Sequence, residues 1–430
     1  MKQDLSKQPV ISKGQSLFIT GSSVISAVST FIVTWLATRS LGPQEGKDFL
    51  VFWSLTSLVF ATLLGVQQES ARLLGLAQQD RAGTGLKNQH SSSSPTYNPL
   101  LAAVLVGVTC SLVFLALTPV WLGTVLPAKD LRSALLIALT TTVYACHVYF
   151  IGAAAGIRAW TEYALLIATG GIFCLLCTYL ASVTGAGPLG FQLSFLATAF
   201  LWIFFILFSP QIRSTLTIRL SGNLRTTYIS MMLAVGTALA MAAMSTGFPV
   251  FLEATSSTSS AKEATLMAAI ILGISITRAP IMLPLQAFQG VAVSYFITQS
   301  QSPARILAKP LAGLVGLGVV GALAAWLIGP LLFDLIYTQY AGQLTGPFLA
   351  ALTFAAALLA LTTLSGTAAL AMGAHRIYLL GWVATLLTAL VCLIFPLGLE
   401  ARTLLALISS PLVGAAVHLA GMQALFRSRQ

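Results

Sequence analysis

Charged residues are scarce in this chain. Only 8% of its 430 residues are Asp, Glu, Lys or Arg, whereas 57% are apolar, and an ordinary soluble domain carries about 25% charged residues. This scarcity excludes water as the main solvent of the protein. Apolar stretches of about 20 residues, the length that crosses a hydrocarbon core, recur from residue 15 almost to the C-terminus.

Cysteines are also few, and all of them lie inside apolar stretches. They are Cys110, Cys146, Cys174, Cys177 and Cys392. This placement excludes an oxidised framework of disulfides. Cys174 and Cys177 have the spacing of metal ligands, but no second Cys or His pair accompanies them, so the spacing is typical of packing. The sequence therefore predicts no metal site and no cofactor.

The apolar stretches predict an all-α integral membrane protein with about twelve transmembrane helices. The predicted spans are 15–38, 49–72, 99–121, 133–156, 162–183, 189–209, 228–251, 264–296, 308–329, 347–371, 377–397 and 403–425. The loop that carries Arg213, Arg219 and Arg225 divides these spans six and six. We therefore expect two six-helix bundles, 1–215 and 216–430, because duplicated bundles are a common build for transporters.

The basic residues give the predicted orientation, because short loops rich in Lys and Arg stay in the cytoplasm. If both termini are inside, fifteen basic residues face the cytoplasm, six face outside and Arg278 lies within a span, which accounts for all 22. The six outer residues are Arg39, Lys47, Lys129, Arg132, Lys262 and Arg402. The sequence thus predicts a multi-pass protein with cytoplasmic termini. The scatter also explains the net charge of +11 without nucleic acid as a partner.

Arg278 is the basic residue that the sequence places inside a span. It follows Glu263, near the predicted outer end, by fifteen residues, which is about 22 Å of helix and close to the bilayer middle. A guanidinium that faced lipid there would cost about 2.5 kcal/mol or more. One interpretation is that Arg278 binds an anion in a cavity. The other is that it satisfies backbone carbonyls that Pro280 and Pro284 leave without a hydrogen bond.

A second polar group lies near the predicted inner end of span 2. It consists of Gln67, Gln68, Glu69 and Arg72. Glu69 and Arg72 are three residues apart, so they can pair on one helix face. Either these side chains line a cavity, or they are the ordinary charged end of a span.

Two glutamines and two histidines complete the candidates within spans. Gln286 and Gln289 of span 8 can bond sugar hydroxyls or a neighbouring helix. His147 and His418 can relay protons, but a lone His more often bonds a neighbouring helix.

Carboxylates are absent from the middle of the predicted spans. Glu45, Asp48, Asp130, Glu253, Glu263, Asp334 and Glu400 all fall at or near the predicted outer interface. This distribution argues against a proton relay through a carboxylate.

Three segments carry short motifs. The end of span 1 and the start of span 2 read Leu36-Ala37-Thr38-Arg39-Ser40-Leu41-Gly42-Pro43, followed by Phe49 and Trp53-Ser54-Leu55. Span 8 contains Thr277-Arg278-Ala279-Pro280 with Gln286 and Gln289, and an outer loop runs from Leu331 to Tyr340. These segments resemble the corresponding parts of the Wzx-type polysaccharide flippases of the multidrug/oligosaccharidyl-lipid/polysaccharide (MOP) superfamily.

The resemblance implies a flippase for a polyprenyl-diphosphate-linked saccharide in the plasma (inner) membrane of a bacterium. It implies a V of two six-helix lobes around a cationic cavity that holds the lipid diphosphate. The candidate substrate-binding residues are then Arg278, Gln286, Gln289, Gln67, Gln68, Glu69 and Arg72. Implied partners are the lipid-linked saccharide, the bilayer and envelope glycan-assembly enzymes.

Two other functions remain open at this point. A drug or metabolite exporter of the same superfamily usually needs a buried carboxylate for cation coupling, which the sequence does not predict. A membrane-embedded glycosyltransferase or polymerase typically presents catalytic residues on a large outer loop, whereas the outer loops here are short. We therefore expect a transporter, not an enzyme.

Overall fold

The computed structural model describes residues 13–81, 96–126, 130–256, 260–297, 303–372 and 374–428. Nearly all of them are helical, because a chain that crosses lipid must satisfy its backbone hydrogen bonds within each segment. The helices are α1 Lys13–Ser40, α2 Pro43–Thr62, α3 Leu64–Arg81, α4 Pro99–Ala116, α5 Thr118–Val125, α6 Leu131–Gly156, α7 Trp160–Val183, α8 Gly187–Leu196, α9 Leu201–Phe208, α10 Pro210–Thr215, α11 Leu224–Ser245, α12 Phe248–Ala254, α13 Ala261–Ile297, α14 Pro303–Ile336, α15 Gly346–Ala371, α16 His375–Leu393 and α17 Leu399–Ser428. Short 3-10 helices cover Ala197–Phe200 and Thr338–Tyr340.

Within the described residues, twelve helical segments are long and apolar enough to cross a membrane. This number confirms the predicted all-α fold of about twelve spans. The second segment, Pro43–Gln78, begins six residues earlier than predicted and joins α2 to α3. The seventh predicted span is broken, because α11 ends at Ser245 and α12 begins at Phe248. Both differences bear on the candidate site.

The described residues pack into two compact units. Unit 1 contains those within Met1–Val33, Thr62–Ala116 and Ala134–Gly236, and unit 2 those within Thr34–Ala61, Leu117–Ser133 and Thr237–Gln430. These units group residues by proximity. The division of the chain into bundles 1–215 and 216–430 stays a prediction.

In unit 1, α6 is the most buried helix, since 67% of the residues in its most apolar stretch are buried. Its Tyr149 and Phe150 pack in a core with Leu166 and Met231. Gly65 lets α3 approach α11 so closely that a Cβ there would overlap the backbone at Ala234. A two-stranded antiparallel sheet, β1 Thr96–Tyr97 with β2 Leu220–Ser221, closes one end of the unit.

In unit 2, α15 is the most buried span, since 78% of the residues in its most apolar stretch are buried. In the corresponding stretch of α14, 6% are buried. The sequence predicts close helix packing at the glycines of α14. Gly318 and Gly321 pack against α15 at Ala357 and Thr353. A methyl group added at Gly313 or Gly316 would meet no heavy atom of another described element within 4 Å. Among the described residues, the close contact with α15 is therefore made at Gly318 and Gly321.

Candidate functional site

Arg278 of α13 binds the end of another helix in unit 2. Its Nη1 donates hydrogen bonds to the carbonyl of Ser245, at 2.9 Å, and to that of Met244, at 3.2 Å. These are the last two residues of α11, where carbonyls lack partners within the helix. Pro249 lies four residues after Ser245 and has no N–H, so it cannot supply the helical hydrogen bond that Ser245 would need.

The carbonyls bound by Arg278 therefore belong to α11 and not to the turns around Pro280 and Pro284. The second interpretation, that Arg278 binds free backbone carbonyls, is therefore correct in the kind of partner and wrong in the helix that provides it. Thr246 and Gly247 both donate to the carbonyl of Ala242, which ends α11. The guanidinium thus stabilises a break within the seventh span.

The other two guanidinium nitrogens of Arg278, Nε and Nη2, make no hydrogen bond to a described residue. The side chain is half-buried, and Ser275, one turn earlier on α13, is exposed. A guanidinium has five N–H donors, so Arg278 can hold α11 through one nitrogen and an anion through the others.

Gln286 and Gln289 also lie on α13. Their side chains are outside the part of the chain that the structure describes. Their proposed contacts with a saccharide stay a prediction.

Unit 1 carries the second group of candidates on α3. Arg72 binds Glu69 through two hydrogen bonds, Nε to Oε2 at 2.8 Å and Nη2 to Oε1 at 2.5 Å. The predicted pairing of these two residues is confirmed. Glu69 is buried and the Arg72 side chain is half exposed, whereas Gln67 is half-buried and Gln68 is exposed. The pair lowers the cost of a carboxylate in an apolar span, and it leaves Gln68 and part of Arg72 accessible.

The sequence missed an ion pair in unit 2. Lys47 of α2 lies 2.7 Å from Glu253 of α12 and 3.1 Å from Asp48, measured from Nζ to the carboxylate oxygens. Lys47 is 4% exposed and Glu253 is 6% exposed, although the sequence predicts both at the outer interface. The sequence signal was Leu41-Gly42-Pro43, since Pro in the first turn starts a helix and places Lys47 inside it.

Arg402 of α17 holds the other end of α12. It donates to the carbonyl of Thr255 at 2.7 Å and to the hydroxyl of Ser256 at 2.5 Å. The short helix α12 is therefore held at both ends by basic residues, with Arg278 at the break before it and Arg402 after it. Between these ends, Glu253 of α12 pairs with Lys47 of α2.

The two histidines have different surroundings. His418 of α17 contacts two helices, through Nδ1 with the Ser365 hydroxyl at 3.0 Å and through Nε2 with the Tyr378 carbonyl at 3.1 Å. This agrees with bonding to a neighbouring helix. His147 is buried beside the Tyr144 ring, and among the described residues its Nδ1 has no hydrogen-bond partner.

Comparison with known proteins places this geometry in a fold class. No protein-family model matches the chain. An inward-facing multidrug resistance MATE family transporter of the MOP superfamily superposes with a TM-score of 0.60 at 14% identity, over 96% of this chain and 98% of that one. The outward-facing conformation of such a transporter gives a TM-score of 0.61 at 13% identity, over 97% and 99%. A MOP superfamily transporter from Pyrococcus furiosus, described as having a binding pocket of reverse polarity, gives 0.59 at 13% identity, over 96% and 99%.

The chain therefore has the all-α, twelve-span fold of the MATE transporters of the MOP superfamily. Rv1510 of Mycobacterium tuberculosis strain H37Rv is 31% identical over 413 residues, which cover 96% of this chain and 92% of that protein. Mb3654 of Mycobacterium bovis is 30% identical over 414 residues, covering 96% and 93%, and Rv3630 of Mycobacterium tuberculosis gives the same values. The chain belongs to the family of mycobacterial proteins that includes these three. The resemblance to the MOP superfamily is confirmed in the fold, and specialisation as a flippase stays a prediction.

Proposed function

We propose that the protein flips a polyprenyl-diphosphate-linked saccharide from the inner to the outer leaflet of a bacterial plasma membrane by alternating access. Flipping supplies the saccharide for cell-envelope polysaccharide assembly, and both termini lie in the cytoplasm. The fold supports a transporter. The observation that carries the substrate class is Arg278, a guanidinium within an apolar span whose Nε and Nη2 make no hydrogen bond to a described residue.

A diphosphate suits this guanidinium chemically. Arginine presents parallel N–H donors that match two phosphate oxygens, and such charge-assisted bonds are strongest where water is scarce. Neutral saccharides need amide and hydroxyl partners instead, and Gln286, Gln289, Gln67 and Gln68 supply amides. In unit 1, Glu69 fixes the Arg72 guanidinium through two hydrogen bonds.

Arg278 is placed to couple substrate binding to conformational change. The nitrogen of Arg278 that binds α11 fixes the break before α12, and α12 carries Glu253, the partner of Lys47. An anion that draws the guanidinium toward itself weakens its hold on Ser245. The diphosphate thereby loosens the break, and α12 with its ion pair can rearrange during transport.

A second candidate is a drug or metabolite exporter. The solved structures that share the fold include multidrug resistance transporters, and Glu253 is a buried carboxylate of the kind that cation coupling uses. Its ion pair with Lys47 argues against this role, because Lys47 already occupies the carboxylate as a counter-ion. The third function, a glycosyltransferase or polymerase, has no support in the transporter fold.

Purified protein in liposomes provides the test. A fluorescent polyprenyl-diphosphate oligosaccharide is placed in both leaflets, and its leaflet distribution is followed with an impermeant quencher. We expect rapid flipping of this substrate and no uptake of a lipophilic cationic dye. Dye transport without flipping would overturn the flippase in favour of the exporter.

A further inference from the structure

A cavity of about 360 Å³ lies in unit 1 between α4 and α11, apart from Arg278 and from the Glu69 pair. It is lined by Leu105, Thr109, Leu224, Arg225 and Tyr228. Its size is within the range of small-molecule sites, about 300 to 1,000 Å³. It is a shallow cavity with a wide opening, and both Leu105 and Arg225 in its lining are exposed.

The lining has one charge and an apolar wall. Leu105 and Leu224 form the wall, and Tyr228 and Thr109 join the two helices through a hydrogen bond of 2.9 Å between their hydroxyls. Arg225 is exposed, and among the described residues its guanidinium has no hydrogen bond or ion pair. No carboxylate is among the five lining residues. The cavity is therefore amphipathic and cationic.

Its position along the helices fits the membrane surface. Arg225 is the second residue of α11, and Leu105 is six residues into α4, about 9 Å from its start. Both helices are candidate spans. Arg225 and Leu224 therefore lie at the first turn of their span, and Leu105 lies further from the start of its own span.

We propose that this cavity binds an anionic phospholipid of the surrounding bilayer. The lipid phosphate pairs with Arg225, and its acyl chain covers Leu105 and Leu224. Basic pockets between helices at a membrane surface recognise lipid headgroups in this way. The lipid fills the gap between α4 and α11 and stabilises their packing. This site is independent of what the protein transports.

The probe is phosphatidylglycerol, with phosphatidylethanolamine, a zwitterion of zero net charge, as the comparison. Purified full-length protein in detergent is titrated with each lipid, and bound lipid is counted by native mass spectrometry alongside a melting curve. We expect phosphatidylglycerol to bind and to raise the melting temperature more than phosphatidylethanolamine does. Arg225→Gln should weaken phosphatidylglycerol binding about fivefold, the contribution of one basic residue at a lipid surface.

Arg219→Gln is the matched control. Arg219 is an exposed arginine six residues before Arg225, and it does not line the cavity. It should leave lipid binding unchanged. Leu105→Trp fills the cavity while keeping Arg225, and it should also reduce binding. Equal binding by Arg225→Gln and wild type, or an equal loss in Arg219→Gln, overturns the proposal. Stabilisation by inorganic phosphate as strong as that by the lipid overturns it too, since a free anion would then be the ligand.

Discussion

The Nζ of Lys47 lies 2.7 Å from Oε1 of Glu253, and both side chains are buried. The bond joins α2 to α12, the short helix that follows the break in the seventh span. A buried ion pair adds little net stability compared with apolar residues, but removing one partner leaves an uncompensated charge. The pair therefore ties α12 to α2, and breaking it should be costly.

Lys47→Met should destabilise the protein by about 3–5 kcal/mol, because Glu253 then loses its nearest positive charge. The double variant Lys47→Met, Glu253→Leu should recover most of that loss. Melting curves in detergent measure both changes. Lys262→Met is the control, since Lys262 is exposed and its loss should stay within about 0.5 kcal/mol. Equal losses in the Lys47 and Lys262 variants would show that the pair does not hold α12.

Gly65→Ala should destabilise unit 1 by about 1–3 kcal/mol, because the added methyl group overlaps the α11 backbone at Ala234. Gly236→Ala in α11 is the control. A methyl group there meets nothing within 4 Å, and the helix gains up to about 1 kcal/mol from the better helix former. Opposite signs of the two shifts in melting temperature are expected. A neutral Gly65→Ala protein would contradict the close approach of α3 and α11.

Arg278→Gln should abolish flipping, and Arg278→Lys should impair it less, because Lys keeps the charge and loses the paired donors. The loss of the Ser245 and Met244 bonds should also lower the melting temperature. Arg213→Gln separates the two effects, since Arg213 donates to the carbonyls of Ile206 and Leu207 and has no proposed substrate contact. It should lower stability without specific loss of flipping. A stable Arg278→Gln protein with normal flipping removes Arg278 from the mechanism.

The predicted orientation places residue 92 in the cytoplasm and residue 257 outside. Both positions lie outside the described residues, so the test is independent of the structure. In intact cells, an impermeant thiol reagent should label Ser257→Cys and should not label Ser92→Cys. The unsubstituted protein, whose cysteines all fall in spans, is the control. Labelling at Ser92→Cys would reverse the topology.

Export of an anionic headgroup should depend on the membrane potential. An inside-negative potential of 100 mV favours outward movement of each negative charge by about 2.3 kcal/mol. Flipping in vesicles clamped at zero potential, with a proton gradient retained, should therefore be slow. Full activity under this clamp would instead indicate a proton-coupled step, for which Glu253 is the first carboxylate to replace.

For Arg278, the sequence predicted that a partner is needed but not which residues provide it. An arginine in an apolar span is visible from composition alone, because its burial cost demands a partner. The partner was not visible, because the carbonyls belong to α11, more than thirty residues earlier in the chain. The prolines adjacent in sequence were the natural candidates, and the decisive one was Pro249.

Composition and spacing were enough to predict a membrane protein of about twelve spans and the pairing of Glu69 with Arg72, and they also give an orientation that stays a prediction. Each of these depends on local composition or on spacing within one helix, which the 3.6-residue period fixes. The tertiary structure alone decided that Lys47 and Glu253 are buried partners and that Arg278 holds the end of α11. These contacts join residues 33 to 206 positions apart, and only the packing of the helices brings such residues within hydrogen-bond distance.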